Sequence, residues 1–591
     1  MSYLDLPRLH FAGTYFANPS TVNNDPSNFP RDAVLTPASA GFDPHGGHYF
    51  KILASTVRAA TDEGGQPVGE GEDPAVGGSL VSLPEPQWAR LVDLDPEQQL
   101  ATQIYGLRLR LTAGEASLEG TFQRVPSLTY LWFRGTGGDF LSRFSGSFQT
   151  VLGDLEWRHT SGSPLLQQLR ARSANQLAIK FNVDGYDGDR TSPTSATGRI
   201  VGTIGPASAG ELDRAARLLV VAPGSPLWHA PFQVDEERRK AVFDLGNSVP
   251  VDGAVPGPPP DLGTMEVIVD PAGTPVVLGA LDYSRERYET SAGIVELDLT
   301  SQTAALVRTR PLAIRIAPPT APPGALAVSQ EEAQEIKAGN LTMTSDPGLE
   351  ARARTAPAAA AAASPVIALA EHPDGLFVFP SRASFRLESA ADEDMETGYA
   401  TARRAEVTLH ARQYGRPVAG LTVGLTLLGT SEAAPVAGLA VPGPQPTDAG
   451  GKATFVLTAG VPKGRPHLDG DVYYLGHTLE IPILSMGNAT VTALVFGAVT
   501  ADEDPTWWSD VEPIFRQYAR LYPQMRDLID LSDYATVQRH LQRIAEVFQR
   551  PVTDPRYMPV TRDLSDARKR RILEWIRNGA PEGVKPPDVP A

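Results

Sequence analysis

Glycine and proline interrupt this chain so often that it has to fold as many short segments joined by turns. The 591 residues include 54 glycines and 53 prolines, roughly one and a half times the usual share of these two types. Between the turns, apolar and polar residues alternate, for example at 107–111 and 295–299. A period of two residues is typical of strands with one buried face. The sequence therefore predicts a mainly β protein.

Two stretches of this β-rich sequence resemble each other. Residues 107–111 and 295–299 lie in longer matching segments, and 8–13 has a weaker counterpart at 240–246. We interpret these matches as a duplication of two sandwich-like or barrel-like β units. The alternative is that short alternating strands resemble one another by chance.

Changes in composition divide the rest of the chain. A segment rich in proline and alanine has prolines at both ends of its alanine run, which disfavours a long helix and favours a tether. After it, residues 446–458 resemble the turn-then-strand signature of bacterial immunoglobulin-like domains. The last segment has helical spacing, with Ile572, Trp575 and Ile576 on one face. The predicted segments are an N-terminal β-rich unit at 1–229, a second β unit and partial repeat at 230–320, a linker at 321–365, an immunoglobulin-like β-sandwich at 366–500 and an all-α domain at 501–591.

Charge and the lack of cysteine exclude several classes of partner and cofactor. The chain carries a formal net charge of −17 and no cysteine. Nucleic acids and anionic lipids bind clustered Lys and Arg, so we expect neither as a partner. Without cysteine there is no disulfide, thiolate zinc site, iron–sulfur cluster or thioether-linked haem. The first ten residues do not read as a secretory signal, and no apolar run reaches the ~20 residues of a membrane span, so we expect a cytoplasmic protein.

One glycine-containing stretch carries residue types that bind transition metals. Asp43, His45 and His48 lie within six residues of one another, and imidazole is the commonest protein ligand for such metals. The alternative is a polar turn that leads into the strand at 49–52. No helical or zinc-type spacing supports the metal, and both interpretations stay open.

A second loop offers carboxylates. Asp184, Asp187 and Asp189 provide hard oxygen ligands of the kind that calcium takes, although the spacing is not that of an EF-hand. The alternative is a solvated loop. No nucleophile elbow and no glycine-rich nucleotide cradle occurs. We therefore assign no catalytic residue and expect no cofactor.

The amino terminus resembles a known enzyme family. Residues 4–13 and 20–26 look like the opening of the violacein-pathway imine-dimerising enzymes of the iminophenylpyruvate dimer synthase type, and of a wider bacterial family. Segments that resemble the wider family are found at 91–99, 148–157, 198–206 and 244–250. The resemblance covers about the first 320 residues. In the dimer synthases a ferritin-like helical domain follows this region, and we find no sequence for one here.

The C-terminal segment resembles cytochrome c without its haem attachment. Residues 513–518 look like the first helix of c-type domains, after which a Cys-x-x-Cys-His motif would follow. Ala519, Tyr522 and Pro523 stand at the positions of the two cysteines and the histidine. Met558 lies where these domains carry the axial methionine, and we interpret it as packing. The resemblance implies a cytochrome c-like fold that has lost its haem.

Two hypotheses for function follow from the resemblances. The first is an accessory or scaffold component of a bacterial oxidative or secondary-metabolite biosynthetic system, which docks a separate ferritin-like or oxidase protein partner. The alternative is an enzyme that acts on amino-acid-derived imines or related small molecules. Its ligand would bind in a pocket between the two N-terminal β units.

Overall fold

A computed structural model of the chain confirms that it is mainly β, with short helices gathered towards the carboxyl terminus. The predicted linker at 321–365 lies outside the described residues. These are 2–19, 46–94, 102–134, 140–208, 217–250, 263–283, 285–317, 366–430, 438–463, 469–479, 491–499 and 504–587.

The N-terminal unit is a closed antiparallel barrel. Its elements are β1 (Arg8–Ala17), β2 (Tyr49–Thr61), β3 (Pro67–Val68), β4 (Ser79–Ser82), β5 (Ala89–Val92), β6 (Gln103–Tyr105), β7 (Arg108–Ala113), β8 (Ala116–Phe122), β9 (Thr129–Phe133), α1 (Phe140–Arg143), β10 (Phe144–Arg158), α2 (Pro164–Arg172), β11 (Leu177–Asp184) and β12 (Thr197–Pro206). Strands β1, β2, β4, β7, β8, β10, β11 and β12 each pair with the next, and β12 pairs back with β1. Closure removes the free edges that an open sheet exposes.

Apolar side chains, which alternate with polar ones along the strands, fill the interior of the barrel. On β7, Leu109 and Leu111 are buried while Arg110 is exposed, as the period of two predicts. Phe148 and Phe181 stack inside the barrel, with ring centroids 5.5 Å apart. The interior is therefore a packed apolar core.

The second unit is a barrel-like antiparallel sheet. Its elements are β13 (Arg217–Val221), β14 (Ala230–Asp235), β15 (Lys240–Asp244), β16 (Thr264–Val269), β17 (Val276–Leu281), α3 (Arg285–Ser291), β18 (Ile294–Asp298), α4 (Ser301–Val307), β19 (Leu312–Ala317) and β20 (Val366–Ala370). The strand order is β17-β16-β19-β20-β13-β14-β15-β18, around one core. The two end strands meet through side chains, since a Cβ on Gly279 would lie 2.7 Å from Leu297 Cδ1.

The sheet boundaries differ from those predicted. Strand β13 starts at Arg217, before the expected boundary at 229/230, and β20 comes from the segment assigned to the sandwich. The two strands pair with each other, Val220 opposite Ala370. An alternating pattern predicts that a segment is a strand, but it does not indicate which sheet the strand joins. The domain boundaries predicted from the sequence therefore assigned β13 and β20 to the wrong units.

The strand order also argues against a simple duplication. The matching segments correspond to β1 with β15 and to β7 with β18. In the second unit β15 and β18 are hydrogen-bonded neighbours, whereas in the first unit β2 and β4 separate β1 from β7. The similar segments therefore occupy different places in their sheets.

The third unit consists of two sheets packed face to face on one core. Its strands are β21 (Leu376–Pro380), β22 (Ser384–Glu388), β23 (Arg404–Gln413), β24 (Arg416–Pro417), β25 (Thr422–Thr430), β26 (Leu439–Ala440), β27 (Gln445–Pro446), β28 (Lys452–Ala459), β29 (Asp471–Leu479) and β30 (Val491–Phe496). The turn predicted near residue 448 is present, because Asp448 Oδ1 accepts hydrogen bonds from Gly450 N and Lys452 N, both at 2.8 Å. This unit is a β-sandwich.

The carboxyl-terminal unit is helical. A π-helical turn at Trp507–Val511 leads into α5 (Glu512–Leu521), and a 3-10 turn at Pro523–Asp527 precedes α6 (Tyr534–Gln538), α7 (Leu541–Phe548) and α8 (Asp566–Arg577). Helix α8 starts after Ser565, whose hydroxyl accepts from Arg568 N. Trp507 and Trp575 are fully buried in the core of this unit.

Candidate functional site

The outer face of β11 carries polar side chains that are buried against the second unit. Lys180, Asn182 and Asp184 are each at most 4% exposed. They alternate with apolar residues such as Phe181, which point into the barrel. Burying polar groups is unfavourable unless each finds a partner. This face of the barrel is therefore a second, polar interior, and it lies where a pocket between the two N-terminal units was expected.

At one end of this interface a lysine meets a carboxylate. Lys180 Nζ lies 2.7 Å from Asp244 Oδ2, and the Tyr3 hydroxyl donates to the same oxygen at 2.5 Å. Burial lowers the pKa of Lys180, and Asp244 opposes that shift. Burial, together with Asp244, raises the pKa of Tyr3 well above its ordinary value. The arrangement is a buried ion pair that is held in place by a neutral phenol.

At the other end, Asp184 accepts from two arginines and a tyrosine. Arg199 Nε lies 2.7 Å from Oδ1, and Arg199 Nη2 lies 3.0 Å from Oδ2. Arg134 Nη1 lies 2.7 Å from Oδ2. The Tyr288 hydroxyl donates to the same oxygen at 3.0 Å, and each guanidinium carbon lies 4.8 Å from the centre of its ring. Two cations thus share one carboxylate.

The charges around Asp184 fix its protonation. Burial alone would raise the pKa of Asp184, but Arg199 and Arg134 outweigh it and hold the pKa below its ordinary value. Burial raises the pKa of Tyr288 although both arginines oppose that shift. Asp184 is therefore an anion and Tyr288 a neutral donor across the pH range in which proteins are stable.

Two donors in this cluster lack a partner in the part of the chain that the structure describes. Arg134 Nη2 and the Tyr283 hydroxyl are enclosed and form no hydrogen bond with the described residues. Burial raises the pKa of Tyr283, so its hydroxyl keeps its proton. A planar guanidinium edge beside a phenolic O–H is suited to an oxygen acceptor such as a carboxylate. The arrangement can bind an acceptor group; it contains no activated nucleophile.

A turn from the second unit completes the interface. Asn247 Nδ2 donates to Tyr130 O at 2.6 Å, and Asn247 Oδ1 accepts from Ser145 Oγ at 2.5 Å. A Cβ on Gly246 would lie 2.3 Å from Ala292 O, so only glycine allows this approach. The turn belongs to the segment 244–250 that carries part of the family resemblance.

The predicted transition-metal residues are only partly described. Asp43 and His45 lie outside the described residues. His48 is buried, its Nδ1 donates to Leu91 O at 3.1 Å, and its ring meets the edge of Tyr522. Burial lowers the pKa of His48 to about 3. The structure thus gives His48 a packing role on the wall that faces the helical unit.

The predicted calcium loop does not converge on one point. Asp184 turns into the inter-unit interface. Asp187 Oδ2 accepts from Thr194 Oγ1 at 2.7 Å, and Asp189 Oδ1 accepts from Thr191 N at 2.9 Å, both on the exposed side. Among the residues that the structure describes, no group of three or more His, Asp or Glu is placed to hold a metal. A cation here would have to compete with two arginines for Asp184.

No pattern in the sequence indicated Arg134, Arg199, Tyr283 or Tyr288 as site residues. They are spread over more than 150 residues of the chain, since Arg134 and Tyr288 are 154 positions apart, and they share no motif. The one available signal was an ionisable residue that alternates with apolar residues along a strand, as Asp184 does at the end of β11, which is buried throughout. Such a residue has to find a partner across an interface.

Comparison with known proteins adds no further assignment. No protein-family model matches the chain, and no curated protein matches it. No helix in the described part of the chain is long and apolar enough to cross a membrane.

Proposed function

We propose that this protein is an accessory scaffold that holds a ferritin-like or oxidase partner in a bacterial oxidative or secondary-metabolite system. The observation that carries the proposal is that buried polar contacts join its four units. Domains within a chain usually move relative to one another unless their interface is large and well packed. A scaffold needs its units held in fixed positions.

These contacts occur at each junction. Lys180 and Asp244 join the two N-terminal units. Arg386 of the sandwich donates to the Tyr105 hydroxyl of the barrel at 3.0 Å. Arg90 of the barrel donates to Pro555 O of the helical unit at 3.2 Å. The sandwich and the helical unit meet where Glu388 accepts from Ala567 N at 3.2 Å.

The sandwich supports a binding role. Its strand order, β21-β23-β28-β26 in one sheet and β25, β29 and β30 in the other, corresponds to the A-B-E-D and C-F-G arrangement of immunoglobulin-like domains. Strand β22 pairs with β30 in parallel. We propose an immunoglobulin-like domain, a fold that often serves as an interaction module.

The helical unit is proposed to be a cytochrome c-like domain without haem. Tyr522, at the position of the second cysteine, is buried, and its hydroxyl donates to Thr561 Oγ1 at 3.1 Å. Tyr518 donates to Asp563 Oδ1 at 3.1 Å. These side chains occupy the interior of the unit. A pyridine haemochrome assay on protein from the native host should find no haem, and one haem per chain would refute this part of the proposal.

The test of the scaffold role is purification of the tagged full-length chain from the cytoplasm of its native host, the location that we propose. We expect a ferritin-like or amine-oxidising protein at a constant ratio, and a complex of the same ratio when the two purified proteins are mixed. Turnover of an amino-acid-derived imine by the purified chain alone, with no partner present, would overturn the accessory role.

The second candidate is an enzyme or small-molecule binder with its site between the two N-terminal units. The specific observation in its favour is the pair of unpartnered donors, Arg134 Nη2 and the Tyr283 hydroxyl. Tyr283→Phe removes only the unpartnered hydroxyl. If a carboxylate ligand binds there, its affinity should fall by about tenfold, since each 1.4 kcal/mol is a factor of ten. Unchanged affinity would exclude this site.

A further inference from the structure

Three arginines from three different units meet at the junction of the barrel, the sandwich and the helical unit. Arg90 comes from β5, Arg386 from β22 and Arg562 from the segment before α8. None is more than 5% exposed. Tyr105 of the barrel lies among them, with the Arg562 guanidinium 4.2 Å from its ring. The junction is thus a buried cluster of cations.

The partners of these arginines are neutral. Arg562 Nη2 donates to Asp554 O at 2.9 Å, and Arg386 Nε donates to Arg562 O at 2.8 Å. Arg90 donates to backbone carbonyls and stacks on Tyr49 at 4.2 Å. In the part of the chain that the structure describes, none of the three forms an ion pair with a carboxylate. Carbonyl and phenol oxygens satisfy N–H groups but leave the charge unbalanced.

Unbalanced buried charge is strongly unfavourable. Charges in protein interiors are normally paired or bound to an ion. Burial lowers the pKa of Arg562 to about 10, and Arg386 and Arg90 push it in the same direction while Tyr105 opposes. The three guanidinium groups therefore repel one another, and a counter-charge would relieve that repulsion.

Two donors at the junction lack an acceptor among the described residues. Arg386 Nη2 and Gln103 Nε2 are buried and form no hydrogen bond with that part of the chain. The two side chains are adjacent, since Gln103 Oε1 lies 3.5 Å from Arg386 Nη1. The Gln103 oxygen is already used by the Tyr105 hydroxyl at 2.7 Å. Both unpartnered groups are N–H donors, so the missing component is an acceptor.

We propose that this junction binds one small anion, which accepts from Arg386 Nη2 and Gln103 Nε2 and balances the three arginines. The shared chemistry is that of a compact anion such as chloride or inorganic phosphate. Because the arginines belong to three units, the bound anion would hold the helical unit against the β units. The proposal does not depend on the scaffold function or on either family resemblance.

The test uses the purified full-length chain in a buffer whose only anion is gluconate, which is too large for a buried site. Chloride or inorganic phosphate is then added at constant ionic strength, in separate experiments that identify the anion. We expect saturable binding of one anion per chain by isothermal titration, and a rise of the calorimetric midpoint on the order of 2 °C. No saturable binding of either anion would overturn the proposal.

Gln103→Glu sharpens the test, because it supplies a carboxylate at the position of the unpartnered donor. This variant should be more stable than the wild type in gluconate and should bind the added anion at least about tenfold more weakly. Wild-type affinity in this variant would overturn the proposal. If it does not fold, Gln103→Leu, which removes the donor without adding charge, must also weaken binding; retained affinity counts against the site.

Arg217→Met is the matched control. Arg217 is equally buried, but it is paired with Glu371, its Nη2 lying 2.5 Å from Oε2. Its loss should lower the stability of the chain and leave one-to-one anion binding unchanged. If Arg217→Met weakened anion binding as much as Gln103→Leu does, the effect would be non-specific and the proposed site would be wrong.

Discussion

Two regions of the molecule bury arginines with different partners. One is the interface between the two N-terminal units, and the other is the arginine junction of the barrel, the sandwich and the helical unit. Arg134 and Arg199 face the carboxylate of Asp184. Arg386 and Arg562 face carbonyls and a phenol ring. In the first interface each of these arginines has a carboxylate partner from the chain itself, although the two share Asp184. The second carries charge that the described residues do not balance, so its stability should depend on the solution.

The largest expected effect comes from breaking a balanced pair. Lys180→Met leaves Asp244 buried without a cation, and removal of one partner of a buried ion pair typically costs about 3–5 kcal/mol. We expect a loss of that size in the free energy of unfolding of the N-terminal units, measured by urea denaturation of the full chain.

The matched control is the double variant Lys180→Met, Asp244→Asn. It removes the uncompensated charge and keeps an oxygen that can accept from the Tyr3 hydroxyl. Most of the stability should return. A loss below about 1 kcal/mol in the single variant would mean that the pair behaves like an exposed one, and the contrast between the two regions would fail.

A smaller and pH-dependent effect is expected from Glu388, at the junction of sandwich and helical unit. Its carboxylate accepts from Ala567 N, and it forms no ion pair among the described residues. Burial raises the pKa of Glu388 to about 7; the Ala567 N–H opposes the shift, and Asp469 and Asp566 add to it. This junction therefore holds an unbalanced anion, as the arginine junction holds unbalanced cations.

The sign of the pH effect follows from the raised pKa. In the unfolded chain a glutamate ionises near pH ~4.3, so between about pH 4 and 7 the folded state binds more protons and stability falls as the pH rises. Glu388→Gln should remove this loss, by roughly 3.5 kcal/mol at pH 8 and by almost nothing at pH 4. Comparing the two proteins at each pH cancels the contribution of buried histidines. A difference independent of pH would contradict the assignment.

The sequence predicted those parts of the fold that depend on local pattern. The alternation at β7 and the turn at Asp448 are present as expected. Each follows from residues within one turn or strand of one another. The helical character of the last unit followed for the same reason, because its apolar residues repeat with helical spacing.

The sequence could not predict which distant strands and charges meet. Strand β20 pairs with β19 although residues 318–365 separate the two strands in the sequence. No local feature of β20 predicts that partner. Arg134 and Tyr288 meet Asp184 from positions 50 and 104 residues away. Long-range pairing is fixed by packing of whole units, so the site residues became visible only in three dimensions.

The smallest expected effect separates two tyrosines of the same cluster. The Tyr288 hydroxyl donates to Asp184 and accepts from Arg134, both at 3.0 Å, whereas the enclosed Tyr283 hydroxyl has no hydrogen-bond partner among the described residues. Tyr288→Phe removes a hydrogen bond from each of Asp184 and Arg134. The free energy of unfolding should therefore fall by about 1–2 kcal/mol.

Tyr283→Phe, the matched variant, removes a hydroxyl that was buried without compensation, so the free energy of unfolding should stay the same or rise slightly. Both changes delete one oxygen from a ring that keeps its packing, and thermal unfolding of the ligand-free protein compares them directly. Equal losses would show that the Tyr283 hydroxyl is bonded after all, and it would then no longer be a free donor for a carboxylate ligand. Opposite signs would confirm that one interface contains both a satisfied structural network and an unfilled donor, which is the arrangement that a binding site between the two units requires.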